Sequence, residues 1–237
     1  MTIALLTAAG QGTRMGQDIP KQFLHINDKP VIVYTLERFQ NNPQIDAIIL
    51  VTLEHWMDFI WSYAKQFGIT KLKWVVPGGE TGQESIYNGL CKLREEAPED
   101  TVVMIHDGNR PMVDNDIISD SLYVFQKYGS AIAAIPCTEA VFKSADGLVS
   151  HTSIPREELY RTQTPHTYRL ADALWAHEEA IKRGIRNTAA ICTMMNALDR
   201  EIYFSRGSEK NIKLTTMDDI EIFKALLNTE KSGWMKP

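Results

Sequence analysis

Residues Thr2 to Phe23 read TIALLTAAGQGTRMGQDIPKQF, and the rest of the chain is organised around them. Ile3 to Ala9 is an apolar run of strand length. It breaks at Gly10-Gln11-Gly12-Thr13-Arg14-Met15-Gly16 and then reaches Pro20-Lys21. A short apolar run closed by glycines predicts a buried strand feeding a loop. Glycines there let the backbone approach a ligand closely and turn its N–H groups toward an anion. Arg14 and Lys21 add cationic donors that suit phosphate oxygens. The spacing G-x-G-x-x-x-G is one residue longer than the dinucleotide fingerprint, and no Gly-Lys-Ser/Thr follows, so the loop is not a Walker loop.

Outward from this stretch, strand-like and helix-like segments alternate. Strands are predicted at Ala47 to Leu53, Leu72 to Pro77, Val102 to Ile105 and Ala131 to Ile135. Helices are predicted at Val31 to Phe39, His55 to Phe67, Ser85 to Leu93 and Ile117 to Tyr128. Such alternation with solidly apolar strands argues an α/β fold, a mostly parallel central sheet with helices on both faces. Ligands in such sheets bind outside the carboxyl ends of the strands. The glycine-containing breaks after Ala9, Pro77 and Asp107 should all lie on that edge.

The pattern changes after Cys137. Val141 to Ser144 and Leu148 to Ser150, with Asp146-Gly147 between them, predict a β-hairpin. A lone two-stranded hairpin is marginal in water, so it must pack on its own domain or on a second subunit. Further on, helices are expected at Arg169 to Arg183 and Thr188 to Asn196, and a strand at Glu201 to Phe204. A last helix should start at Thr216, where a hydroxyl cap and the early carboxylates Asp218 and Asp219 suit the N-terminal dipole. The tail from Thr229 onward should fray.

Length and composition bound the rest. The 237 residues suit a single domain, with an arm at about 138–158. An apolar share of 44% and a charged share of 23% are ordinary for a globular protein. Net charge is -5 with no long basic block, which argues against nucleic-acid binding. No apolar stretch approaches the roughly 18 residues that span a bilayer, and the N-terminus lacks the charged region of a signal peptide. Cys91, Cys137 and Cys192 are odd in number and widely spaced, with no CxxC. That composition suggests reduced thiols, a cytoplasmic protein and no zinc site.

Ala8 to Leu24, AAGQGTRMGQDIPKQFL, resembles the opening of sugar-nucleotide and polyol-phosphate nucleotidyltransferases. The PKQFL extension is most similar to the methylerythritol phosphate and ribitol phosphate cytidylyltransferases. The resemblance continues in order through VPGGE, IHDGNRP, RTQTPH and NIKLTT, to about Leu227. It implies a CTP-dependent, Mg²⁺-dependent enzyme that joins a small polyol phosphate to a cytidylyl group, releases pyrophosphate and dimerises through the arm. Candidate acceptors are methylerythritol 4-phosphate, ribitol 5-phosphate and capsule or teichoic-acid polyol phosphates such as glycerol phosphate. Two alternatives stay open: a sugar-1-phosphate nucleotidyltransferase, and a catalytically inactive nucleotide-binding relative.

The chemistry needs cations more than a base. The attacking phosphate is already ionised, so the enzyme must hold two anions together and neutralise the charge that develops on transfer. Arg14 and Lys21 suit that task. By resemblance, Lys213 contacts the α-phosphate region, and Ala8, Ala9, Gly10, Gly12 and Thr13 with Gly78, Gly79 and Ser85 hold the nucleotide. Also by resemblance, Arg110, Arg156 and Thr164 face the acceptor, with Arg156 within reach of a neighbouring subunit's site. Asp107, at a strand end beside phosphates, suits Mg²⁺. His106 reads as a structural residue, and Met194 and Met195 as core. The chain departs from the family pattern at Gly82, where arginine is usual, at Glu139-Ala140 for Asp-Thr, at His166 for glutamine, and at Ala189, where relatives carry an aspartate.

Overall fold

The computed structural model describes residues 1–10, 19–188 and 190–232. Its strands are β1 (Thr2–Ala8), β2 (His25–Ile26), β3 (Lys29–Pro30), β4 (Ala47–Thr52), β5 (Leu72–Pro77), β6 (Val102–Asp107), β7 (Ser130–Pro136), β8 (Val141–Lys143), β9 (Thr152–Ile154), β10 (Tyr160–Arg169) and β11 (Phe204–Arg206). Its helices are α1 (Val31–Gln40), α2 (Met57–Gln66), α3 (Gly82–Glu96), α4 (Asn115–Tyr128), α5 (Leu170–Lys182), α6 (Ile191–Ala197) and α7 (Met217–Ser232).

Seven strands form the central sheet in the order β11-β7-β10-β6-β1-β4-β5. All neighbours pair in parallel except β10, which runs antiparallel to both β6 and β7. Side chains alternate between faces along a strand, and β1 divides the core accordingly. Ala4, Leu6 and Ala8 pack with α1, α2 and α4. Ile3 and Leu5 pack with α3, α5 and α6. Gly89 lets α3 lie close on the sheet, because a Cβ there would come within 2.8 Å of Leu5 Cδ1 and 2.9 Å of Val51 Cγ2. A third apolar cluster joins Ile26, Val31 and Met112 to Leu214, Ile220 and Phe223, and so docks α7.

Local signals set the helix ends. Thr81 and Glu84 form a reciprocal capping box at the start of α3. Asp114 caps α4, which ends at Gly129 with φ +83°. At α7 the Asp219 carboxylate accepts from the Thr215 and Thr216 N–H groups, each at 2.7 Å, while Thr216 Oγ1 accepts from the Asp219 N–H at 3.3 Å.

Five readings need correction. The long strand β10 escapes sequence reading because its first residues, Tyr160, Arg161 and Thr162, are exposed and Pro165 interrupts it. The register also shifts between Thr162 and His166. The arm pairs β8 with β9, not Val141–Ser144 with Leu148–Ser150. The Asp146-Gly147 pair sits inside a longer loop, where Asp146 Oδ1 accepts from the Leu148 and Val149 N–H groups and Ser144 Oγ from Gly147. Those side-chain acceptors satisfy the backbone that a tight turn would have paired. The strand expected at Glu201–Phe204 begins only at Phe204, and the helix expected from Thr188 begins at Ile191. Thr229 to Ser232 continue α7 where fraying was expected, and the rest of that tail, 233–237, lies outside the described residues.

Candidate active site

The strands β1, β5 and β6 run parallel, so Gly10, Gly78 and Gly108 all lie on one carboxyl edge. There a cleft of about 630 Å³ opens, lined by the ends of β1 and β6, the loop before α3, the start of β10, the start of α6 and Lys213. The reversed direction of β10 is what delivers its first residues, Thr162 to Thr164, to this edge. No helix of the described residues is long and apolar enough to cross a membrane.

On one side of the cleft, hydrogen bonds fix the backbone at the ends of β1 and β5. Gln22 is buried and donates from Nε2 to Ala8 O at 2.7 Å and to Gly10 O at 2.9 Å, clamping the described start of the first loop. Phe23 beside it stacks on Trp56 at 3.8 Å, which fixes the PKQF turn and so the backbone of Lys21. Across from β1, the Gly78 N–H donates to Thr52 O and the Gly79 N–H to Ser85 Oγ, at 2.7 and 3.1 Å. A Cβ on Gly78 would sit 2.3 Å from the Ala9 Cβ, so only glycine permits this approach of the two loops. Ala8, Ala9, Gly10, Gly79, Ser85 and Lys21 all line the cleft. Gly12, Thr13 and Arg14 lie outside the described residues, as does Ala189.

On the other side, charges converge on Asp107. Its Oδ2 takes Arg110 Nε at 2.9 Å and its Oδ1 takes Lys213 Nζ at 3.0 Å. Burial would raise this carboxyl, but Lys213 and Arg110 outweigh it and hold it far below the usual carboxylate range. Lys213 arrives because the 211–214 segment is sewn onto the 107–110 turn. Asn109 and Leu214 exchange two hydrogen bonds, and Arg110 donates to Asn211 O at 2.7 Å. Asn211 in turn donates to Thr164 O at 2.8 Å, tying in β10.

His106 is structural, as expected. Its Nε2 lies 3.1 Å from Arg110 O, which can only accept, so Nε2 carries the proton. Nδ1 then accepts from Thr164 Oγ1 at 3.0 Å, and Thr164 Oγ1 accepts from the Asp107 N–H at 3.0 Å. Burial pushes the imidazole down to about 4, so it stays neutral. Thr164 therefore sets the Asp107 main chain at the cleft.

Of the further lining residues, His166 stood out in the sequence only as a departure from the family pattern, and Gln83 and His177 were not marked. Gln83 Nε2 donates to Ile185 O, and its Oε1 accepts from Thr188, at 3.1 and 3.2 Å, which joins the loop before α3 to the segment before α6. His166 and His177 are buried in the wall, and the Nε2 of each has no partner. His177 stacks on Tyr87 at 5.4 Å. Arg156 is not a lining residue. It stands on the arm, near Glu157 at 3.5 Å and donating to Thr138 O at 3.0 Å.

Among the described residues no group of three or more His, Cys, Asp or Glu could cage a metal ion. Asp107, a single carboxylate at the cleft, fits Mg²⁺, which keeps most of its waters and takes one or two carboxylates plus substrate phosphates.

Glycine backbone on one wall of the cleft and a carboxylate paired with two cations on the other suit the handling of phosphate groups. On this sheet they define the nucleotidyltransferase class. Residues 2–229 match the family model of 2-C-methyl-D-erythritol 4-phosphate cytidylyltransferase, and the chain belongs to that family. It is 42% identical to a ribitol-5-phosphate cytidylyltransferase of Lacticaseibacillus paracasei over 98% of this chain and 100% of the other. It is 36% identical to a 2-C-methyl-D-erythritol 4-phosphate cytidylyltransferase of Geotalea uraniireducens, over 97% of each. Its fold matches the crystal structure of a 4-diphosphocytidyl-2C-methyl-D-erythritol synthase from Anaerococcus prevotii with a TM-score of 0.82 at 24% identity, covering 96% of both chains. The chain is a CTP-dependent cytidylyltransferase with a polyol phosphate as acceptor.

Proposed function

We propose that the acceptor is ribitol 5-phosphate, which with CTP gives CDP-ribitol and pyrophosphate. The observation that carries this reading is similarity along nearly the full chain: of the two relatives, the one named for ribitol 5-phosphate is the more similar. The departures at Ala140 and Ala189 point the same way, since they remove polar groups that the methylerythritol pattern carries.

In the proposed reaction an oxygen of the acceptor phosphate attacks the α-phosphorus of CTP. The bond from that phosphorus to the bridging oxygen breaks, and pyrophosphate leaves with the bonding electrons. The attacking oxygen is already anionic, so no general base is needed, in keeping with a neutral His106 and an ion-paired Asp107. The backbone of Ala8, Ala9, Gly10, Gly12 and Thr13, with Gly78, Gly79 and Ser85, holds the nucleotide. Arg14, Lys21 and Lys213 neutralise the transferring group, and charge preorganised in a cleft is what such chemistry needs most. Arg110 and Thr164 hold the acceptor phosphate. Asp107 would hold Mg²⁺, which supplies charge neutralisation on the triphosphate; substrate phosphates then take over one of the cations now paired with Asp107.

The chain acts as a single nucleotidyltransferase domain whose arm makes a two-fold dimer and carries Arg156 to the partner's cleft. Exposed Phe142, Leu148 and Val149 on so small a hairpin support that role. The free thiols Cys91, Cys137 and Cys192 fit the cytoplasm. The test is pyrophosphate release from CTP, ATP and GTP with ribitol 5-phosphate, methylerythritol 4-phosphate and glycerol phosphate, with and without EDTA. Release with CTP and ribitol 5-phosphate that EDTA abolishes supports the reading. Equal use of ATP would favour a sugar-1-phosphate enzyme, and no release at all an inactive relative.

A further inference from the structure

His166 follows Pro165 on β10, and its register partners are Ile105 of β6 and Ile132 of β7. Both belong to the core layer under α3, α5 and α6. Directly paired residues of a sheet share a face, so the imidazole faces that layer. There it lines the cleft with Ile105, Thr162, Ile191 and Met194. It is 2% exposed, the Gln163 backbone hydrogen-bonds its ring, and Nε2 has no partner. A buried polar atom left unpaired costs its full desolvation, so one in a substrate cleft points to a ligand that completes it.

Charge and position decide which part of the ligand. Burial pushes the imidazole down to about 4, so the ring is neutral and has one hydrogen bond to exchange at Nε2. A neutral nitrogen suits a hydroxyl. The anionic end of the acceptor has its own partner in Arg110, just past the tip of the neighbouring strand. On the layer that His166 faces, the lining side chains Ile105, Ile191 and Met194 are uncharged, and Thr162, Thr188 and Thr193 add hydroxyls to the same cleft. The family pattern carries glutamine at this position, another side chain able to bond a hydroxyl.

We propose that His166 Nε2 hydrogen-bonds a hydroxyl on the carbon chain of the acceptor and sets the preference for hydroxyl-rich polyol phosphates. This rests on the acceptor reading above. A site built to bond a hydroxyl rejects the analogue that lacks it, because the protein atom is then left buried and alone.

The experiment compares wild type, His166→Gln and His166→Leu at saturating CTP. It measures kcat/KM for ribitol 5-phosphate and for analogues each lacking one hydroxyl, with KM for CTP and thermal unfolding recorded alongside. Wild type should prefer the full polyol over one analogue by about 10- to 100-fold. His166→Leu should reduce that ratio to within about threefold at the same hydroxyl only, as in a double-mutant cycle, leaving KM for CTP unchanged. His166→Gln should keep most of the preference. A folded His166→Leu that retains the ratio, or that loses both acceptors and CTP alike, overturns the proposal. Should that variant not fold, the histidine ¹⁵N signals of wild type decide. The His166 Nε2 resonance, assigned by its loss in His166→Gln, should move with ribitol 5-phosphate and not with inorganic phosphate, and a resonance that stays still overturns the role. Turnover of another polyol phosphate but not ribitol 5-phosphate overturns the acceptor reading, while the same ratio on that polyol still decides His166.

Discussion

Lys213 and Asp107 lie 106 residues apart in sequence, and their side chains meet at 3.0 Å at the mouth of the cleft. Asp107 ends a central strand, while Lys213 rides on a segment held by Asn109, Arg110 and Asn211. The pair therefore keeps a cation at the mouth of the cleft, where the proposed reaction has a phosphate bind. Lys213→Ala should lower kcat by about 10²–10³, the usual cost of one preorganised charge-stabilising donor. It should remain folded, since the lysine is surface-accessible. Asp107→Asn should instead raise the Mg²⁺ concentration needed for half-maximal rate, because an amide is a poor ligand for a hard cation. Steady-state kinetics over a Mg²⁺ titration separates the two, and near-normal turnover of Lys213→Ala would remove it from the mechanism.

Much of this arrangement was legible in the sequence, for a physical reason. Strands buried on both faces are written as unbroken apolar runs, so β1, β4, β6 and β7 stand out, and glycines mark where β1 and β6 end. The strand β10 was not legible because half of it lines a wet cleft, which gives it polar residues where the core would have demanded apolar ones. Gln22 was missed for the opposite reason: a lone polar residue within PKQFL gives no sign that it will be buried against two carbonyls. The ion pair at Asp107 was invisible, since nothing local tells residues 107 and 213 that they will touch.

Burial of histidines sets the acid limit of the fold. His106, His166 and His177 are each pushed down to about 4 by desolvation, whereas an unfolded histidine titrates near 6.5. Between those values the unfolded chain binds protons that the native fold refuses, so stability rises with pH. It is complete above about pH 6.5 and is lost as pH falls toward 4, on the order of 3 kcal/mol per histidine. Asp107, held low by its cations, weakens the fold only further down, below about pH 4. The thermal midpoint should therefore drop steeply between pH 6.5 and 4.5, and His177→Phe, which keeps the stack on Tyr87, should flatten the slope. A midpoint constant over that interval would contradict the buried neutral state of these rings.

The arm gives a prediction about assembly. The strands β8 and β9 are short and their side chains largely exposed, so the hairpin has too little core of its own. Replacing 141–154 with a Gly-Ser linker should convert a two-fold dimer into a monomer in sedimentation velocity. The same change should raise KM for the acceptor more than KM for CTP, and Arg156→Ala alone should reproduce the kinetic effect while leaving the dimer intact. Wild type sedimenting as a monomer at micromolar concentration would refute the arrangement.

Acceptor choice follows from which polar groups remain. A polyol phosphate is held by its phosphate and by hydrogen bonds to its hydroxyls, and hydroxyl-bonding sites discriminate far more strongly than apolar walls do. This chain has Ala140 and Ala189 where the methylerythritol pattern carries a hydroxyl and a carboxylate. Ala140 is exposed and outside the cleft lining, next to the arm whose Arg156 is proposed to serve a partner's cleft. Its loss should thus be felt by the acceptor in the neighbouring cleft. In exchange, the wall carries Gln83, Thr162, Thr188 and His166, a set able to bond several hydroxyls along a straight chain. Ribitol 5-phosphate should therefore be used with a kcat/KM at least about tenfold above that of methylerythritol 4-phosphate, one hydrogen bond's worth of discrimination. Restoring Ala140→Thr and Ala189→Asp together should narrow the ratio by improving methylerythritol 4-phosphate more than ribitol 5-phosphate. Wild type favouring methylerythritol 4-phosphate a hundredfold would mean that these two alanines do not govern the choice.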